Sequence, residues 1–260
     1  MGPPRFRTGS RHGRGGRLRA RLGGWLRRCA VAALPALCLA SATARAGEDP
    51  RFTVIPVDTR HEPLSLFWRD PAGQPWRSFA ALDASLAARG KHLRFAMNAG
   101  MYQPDLSPVG LLVVDGRQQS PLNLAEGFGN FFLKPNGVFL VTAQGPRVVE
   151  SSEYPALASG VRLATQSGPM LLRHGVLHPA FRAGSVSRLI RNGVGVCGGR
   201  AVFVISEQPV NFHEFASFFR DRLHCQDALY LDGTVSSLHS TALKRSDAKT
   251  DLGPMLGIVD

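Results

Sequence analysis

The stretch Arg191-Asn-Gly-Val-Gly-Val-Cys-Gly-Gly-Arg-Ala-Val-Phe-Val-Ile-Ser206 decides the fold class. Two apolar runs, Val194–Val196 and Val202–Ile205, flank the dipeptide Gly198-Gly199. A glycine pair between such runs supplies the positive φ of a tight hairpin turn, so the segment reads as two antiparallel strands. The same residues contain a formal G-x-G-x-x-G at Gly193, Gly195 and Gly198. A dinucleotide cradle needs a strand, a glycine turn and then a helix. Here the glycines lie within and at the end of one strand and a second strand follows, so the pattern is a hairpin and not a phosphate cradle.

On both sides of this hairpin the same grammar repeats. Apolar runs occur at 52–57, 64–68, 93–97, 110–114, 131–133, 138–141, 161–165, 170–172, 229–231 and 255–259. Asp115-Gly116, Asn136-Gly137 and His174-Gly175 read as further turns between them. Two segments read as helices. In 78–90, Ser78 can cap, Phe79, Leu82 and Leu86 share a face, and Gly90 stops the helix. In 212–223, Phe212, Phe215, Phe219 and Leu223 form a stripe near the 3.6 period, which predicts core packing. The expectation is one α+β domain, mostly antiparallel β-sheet built from hairpins, with a few packed helices.

The net charge of +12 over 260 residues suggests a nucleic-acid or membrane-surface partner, but its distribution removes that reading. Residues 1–46 hold ten arginines and no acid, so residues 47–260 keep 31 − 10 = 21 bases against 19 acids. The basic leader is followed by the apolar run Cys29–Ala44 and by Ala44-Arg45-Ala46, a small-residue exit site. Basic flank, short apolar stretch and exit predict a signal peptide over 1–46 and a mature domain over 47–260, located in the periplasm or secreted. A basic arm that binds anions is the alternative. The apolar run is too short and too broken for a membrane span. Export leaves Cys197 and Cys225, an even number in an oxidising compartment. That predicts a disulfide between them; two separate buried thiols are the alternative.

Several catalytic signatures fail. There is no G-x-S-x-G elbow. His174 and His178 are separated by Gly175 and followed by Pro179, so no helix aligns them as metal ligands. His213-Glu214 does not extend to H-E-x-x-H. No metal site and no cofactor are expected; a divalent cation such as Ca²⁺ among the Asp and Asn turns is the open alternative, although no complete loop for one is present. What remains is a set of polar residues where apolar strands end: Asn98, Gln166 and Ser167, Arg191 and Asn192, Glu207, Asp232 and Ser236. Each alone is an ordinary strand cap or turn. Together they predict a pocket at one edge of the sheet.

The order of these motifs resembles the phosphodiester glycosidase family, the bacterial relatives of the lysosomal uncovering enzyme. The resemblance runs through Asn98-Ala-Gly100-Met-Tyr102, Pro108-Val-Gly110, Asn136-Gly137-Val138-Phe139, Gln166-Ser167-Gly168-Pro169, Arg191-Asn-Gly-Val-Gly195 and Leu231-Asp232-Gly233, over residues 52–259. The chain departs from the family where Thr234 and Val235 replace two glycines of the Asp-Gly-Gly-Gly turn. The resemblance implies hydrolysis of a sugar-1-phosphodiester at the anomeric carbon. The partner would then be a carbohydrate or sugar-phosphodiester substrate.

That chemistry needs a cation for the phosphodiester, for which Arg191 is suited. It needs carboxylates against an oxocarbenium-like transition state, for which Asp232 and Glu207 are expected to be catalytic. It needs amides for sugar hydroxyls, expected from Asn98, Asn192 and Gln166, with Ser167 and Ser236 as further substrate contacts. Two other classes use the same residues: a non-catalytic glycan-binding protein, and a hydrolase with Ser167 or Ser236 as nucleophile.

Overall fold

A computed structural model of the chain describes Gly2 and residues 49–260. The expected signal peptide, with its Ala44-Arg45-Ala46 exit, lies outside the described residues apart from Gly2. Among the described residues the strands are β1 (Phe52–Val57), β2 (Ser65–Phe67), β3 (Leu93–Asn98), β4 (Leu112–Val114), β5 (Arg117–Ser120), β6 (Gly137–Thr142), β7 (Gly145–Glu150), β8 (Leu163–Ser167), β9 (Met170–Arg173), β10 (Val176–Leu177), β11 (Asn192–Cys197), β12 (Arg200–Ser206), β13 (Asp227–Asp232), β14 (Leu238–Ser240), β15 (Arg245–Ser246) and β16 (Met255–Val259).

They form three sheets, in the orders β1-β12-β11-β13-β9-β10, β15-β14-β3-β16-β2 and β5-β4-β8-β6-β7. Every ladder among the described strands is antiparallel. This is the hairpin-built α+β domain the sequence predicts.

One core joins the sheets. Phe203, Val194 and Leu229 of the first sheet meet Phe95, Met97 and Leu256 of the second and Leu112, Phe139 and Leu163 of the third. The outer face of each sheet is covered as well. The helix α1 (Phe79–Ala87) lays Phe79 and Leu82 on Ala96 and Met255. The helix α2 (Phe212–Ser217) and the single π-helical turn that prolongs it, Phe218–Arg222, lay Phe215 and Phe219 on Leu171, Val204 and Tyr230. A 3₁₀ segment, Ser151–Leu157, brings Tyr154 against Val138, Leu140 and Ala164. Central strands therefore bury both faces. That is why they read as unbroken apolar runs, where a one-sided antiparallel strand would alternate.

The local signals act as their chemistry dictates. Asp115-Gly116, His174-Gly175 and Gly198-Gly199 all have positive φ and join β4–β5, β9–β10 and β11–β12. Ser78 Oγ accepts the Ala81 N–H at 3.1 Å to cap α1. Asn211 and Glu214 exchange side-chain-to-backbone bonds of 2.9 Å each to cap α2.

Two expectations are corrected. Phe131–Leu133 is not a strand: Asn130–Phe132 is a short 3₁₀ helix in which Phe131 packs inward while Phe132 meets it edge-on. Asn136-Gly137 is not a hairpin turn. Asn136 is buried with its side-chain N–H on the Phe131 carbonyl, and Gly137 already pairs with Glu150 and Ser167.

Cys197 and Cys225 form a disulfide, with Cα atoms 4.2 Å apart. It ties the end of β11 to the segment between α2 and β13. In the chain-entropy account, closing a loop of this length contributes about 3–4 kcal/mol.

Candidate active site where two sheets meet

Asn98 ends β3 in the second sheet, and Asn192 opens β11 in the first. Both side chains are fully buried. They bond face to face: Asn192 Nδ2 donates to Asn98 Oδ1 at 2.9 Å and to the Asn98 carbonyl at 3.2 Å. Asn98 Oδ1 also accepts the Ser237 N–H at 2.9 Å. Asn192 Oδ1 accepts the Asp232 N–H at 2.9 Å and the Ser236 hydroxyl at 3.2 Å. The two amides thus clamp the turn 232–237 to the rim of both sheets. Buried amides that spend their donors and acceptors this way fix geometry. The structure thus brings the two expected sugar-binding amides together, each engaged with the other and with the turn.

Asp232 is the last residue of β13 and follows a bulge. The register passes from Gly193↔Tyr230 to Asn192↔Asp232, so Leu231 is an extra residue opposite one step of β11. Bulges of this kind re-aim the next side chain. Asp232 Oδ1 accepts the Gly233 N–H at 2.6 Å. Among the described residues no basic side chain forms an ion pair with it. Burial pushes its carboxyl up from 3.8 to about 6, a rise that the N–H groups of Gly233 and Val235 only partly offset. A turn aspartate with an acidity this far from its ordinary value is a functional-site signal.

Two tyrosines adjoin it. Tyr102, partly exposed, donates its hydroxyl to the Asp251 carbonyl at 2.7 Å. Burial first, then the charges of Asp232 and Asp251, raises its phenol to about 12. Tyr230 lies beneath the turn; a Cβ on Gly233 would collide with its hydroxyl, which is why glycine follows the aspartate. Burial and, to a smaller degree, Asp232 also raise the Tyr230 phenol, against the lowering by Arg191. Neither tyrosine was among the expected site residues. Tyr102 stands in the quoted Asn98–Tyr102 motif, and Tyr230 is two positions before Asp232, so both carried a signal.

The remaining candidates have other duties. The Arg191 guanidinium is fully buried. It donates to the Val210 carbonyl at 2.9 Å, the Tyr230 hydroxyl at 3.1 Å and the Ser187 carbonyl at 3.1 Å, and it stacks 3.8 Å from the Phe212 ring centre. It stands behind Tyr230 and braces the loop before β11, with its guanidinium engaged by these groups. Burial lowers its pKa from the ordinary guanidinium value, although Tyr230 favours the charged form.

Gln166 spends its side chain on the Leu111 and Asn123 N–H groups, the Asn123 carbonyl and Ser151 Oγ, at 2.7–3.0 Å. It ties down the loop at Asn123, and these bonds join it to none of Asn98, Asn192 and Asp232. Glu207 accepts from Thr53 Oγ1 and Arg245 Nη1, each at 2.6 Å. Arg245 is itself paired with Asp247 at 2.8 Å. Glu207 belongs to this exposed ionic group and makes no hydrogen bond to the Asp232 turn. The structure therefore does not bring the two expected carboxylates, Asp232 and Glu207, into one hydrogen-bonded group.

Ser167 Oγ donates to the Leu231 carbonyl at 2.8 Å, and Ser236 Oγ shares its one proton between the Asp232 carbonyl at 3.1 Å and Asn192 Oδ1 at 3.2 Å. Among the described residues neither is bonded to a histidine that would serve as a base. A serine nucleophile needs such a partner. Of the scattered candidates, the structure unites Asn98, Asn192, Asp232 and Ser236 in one network, with Ser167 one carbonyl away.

Comparison with known proteins agrees with the motif order. A profile of the phosphodiester glycosidase family matches residues 91–258. The uncharacterized protein YigE of Escherichia coli strain K12 is 38% identical over 194 residues, 74% of this chain and 76% of its own. The catalytic domain of zebrafish N-acetylglucosamine-1-phosphodiester alpha-N-acetylglucosaminidase, auto-inhibited by its pro-peptide, superposes with a TM-score of 0.56 at 13% identity, covering 81% of this chain and 84% of that one. A hypothetical protein from Synechocystis superposes with a TM-score of 0.55 at 13% identity, over 80% of this chain and 59% of that one. At such identities the two structures speak to the fold, while the profile and the YigE similarity speak to descent. From them, the chain belongs to the phosphodiester glycosidase family.

Proposed function

We propose that this protein is an exported glycosidase that hydrolyses a sugar-1-phosphodiester at the anomeric carbon, with Asp232 as its catalytic carboxylate. The observation that carries the reading is Asp232 itself: partly buried, unpaired with any basic side chain among the described residues, re-aimed by a bulge, and held by backbone N–H groups. At pH 7 a carboxyl of this acidity is about nine-tenths ionised. The anion stabilises positive charge developing at the sugar ring and accepts the proton of the attacking water. The bond between C1 and the phosphate oxygen breaks, water supplies hydroxyl to C1, and the phosphodiester leaves as a monoester. A phosphate oxygen is a weak base, so departure needs no strong general acid, in keeping with one carboxylate. Export is supported by the basic leader with its small-residue exit and by the Cys197–Cys225 bridge, which suits an oxidising compartment.

The test is a side-by-side assay of sugar-1-phosphodiesters, nitrophenyl glycosides and simple phosphodiesters. Turnover of the first, with release of free sugar and phosphomonoester and loss in Asp232→Asn, is the expected result. Cleavage of simple phosphodiesters that lack a sugar, unchanged in Asp232→Asn, would reject it.

A further inference from the structure

A second cleft, of about 580 Å³, opens between β2, α1 and the β4–β5 hairpin. Trp68 and Trp76 both line it. They are the two tryptophans of residues 47–260, since the third, Trp25, lies in the leader. Both rings are partly exposed. The Trp68 indole N–H is anchored on the Leu106 carbonyl at 2.9 Å, and the Arg69 guanidinium stacks over the ring at 4.0 Å from its centre, which leaves Trp76 as the main ring surface for a ligand. Trp76 packs against the cluster of Phe79 and Leu82. The charged groups of the lining are Arg69, Arg89, Asp70 and Asp115, two of each sign. A cleft with balanced charge does not select an anion. Indole surfaces joined to planar hydrogen-bonding groups suit a neutral ligand with alternating C–H faces and hydroxyl edges.

Its position relative to Asp232 is set by register. Phe67, next to Trp68, pairs with Met255, and Met255 pairs with Asn98. The Trp68 end of the cleft is thus two strand spacings, about 10 Å, from the amide clamp along one sheet edge. We propose that this cleft is a binding site for neutral oligosaccharide, separate from the Asp232 turn and adjoining it along the rim. It would hold the saccharide portion of an extended substrate while the reacting sugar lies at Asp232. Binding at the cleft needs no turnover, so it stands or falls apart from the reaction.

The test uses the full chain carrying Trp25→Phe, in which the remaining indole emission comes from the cleft alone. Neutral chito-, cello- and malto-oligosaccharides of three to six sugars are titrated, with inorganic phosphate as the anionic control. A saturable emission change with one of the sugars, and none with phosphate, is expected. Trp76→Phe tests the ring surface with packing retained, and Arg89→Ala with Asp115→Ala tests the polar lining by calorimetry. Each is expected to weaken the sugar at least about tenfold, with hydrolysis of a short sugar-1-phosphodiester within about twofold of wild type. No response to any sugar, a response to phosphate instead, or affinity unchanged in all these variants would overturn the proposal.

Discussion

Asn192 Oδ1 accepts the backbone N–H of Asp232 at 2.9 Å, so a side chain on one strand fixes the backbone of the aspartate on the next. The same amide holds Asn98 through its other end. Asp232 therefore has its place only when the first and second sheets are docked.

Removing that clamp has a definite expected cost. In Asn192→Ala the Asp232 N–H and the Asn98 side chain lose buried partners, which costs about 2–4 kcal/mol of folding stability. Turnover is expected to fall about 10- to 100-fold, as for a misplaced catalytic group. Urea unfolding alongside kcat measured on the folded fraction checks both; a variant equally stable and fully active would contradict the clamp.

The pH dependence of Asp232 has two expected readouts. Its folded value of about 6 lies above the ordinary 3.8, so between these pH values the folded state binds more protons than the unfolded state. Stability then declines as pH rises from about 4 to about 6, by about 3 kcal/mol in total from this group. Asp232→Asn removes that decline and is expected to be the more stable protein at pH 7. Activity runs the other way: wild-type kcat/KM is expected to fall as pH drops through about 6, where the anion is lost. Thermal unfolding of both proteins from pH 4 to 8, with a pH–rate profile of the wild type, tests the pair.

Arg191 is expected to behave as a buried brace. Arg191→Ala leaves the Val210 and Ser187 carbonyls without their donor and a void against Phe212, costing about 3–5 kcal/mol. Any loss of turnover is expected to be alike for phosphodiester and neutral glycoside substrates. A loss confined to phosphodiesters, in a normally stable protein, would restore it as a phosphate ligand.

The Cys197–Cys225 bridge lies away from the Asp232 turn. Cys197→Ser with Cys225→Ser is expected to lower stability by about 3 kcal/mol while leaving kcat within about twofold. Mass spectrometry of the unreduced protein should find neither cysteine alkylated.

The sequence by itself determined three of the hairpin turns, the Ser78 cap and much of the lining of the core, while Asn136-Gly137 has turn residues without a hairpin. Gly198-Gly199 requires a tight turn wherever it stands, Ser78 caps its own helix, and Phe215 and Phe219 share a face by their spacing alone. These are local relations, read within a few residues. The list of polar strand ends was legible for a similar reason, since an apolar run that stops at Asp, Asn or Arg shows where the buried strand ends. What each of those residues does was decided by the tertiary structure. Gln166 and Arg191 share the polarity of Asn192 and Asp232, but partners from distant segments use up their donors: Asn123 and Ser151 for one, Val210 and Tyr230 for the other. Glu207 is a carboxylate at a strand end like Asp232, and only the approach of Arg245 and Thr53 makes it an ion-pair member. Hydrogen bonding is short-ranged and saturable, so which candidate keeps its chemistry free depends on neighbours that the chain order does not reveal.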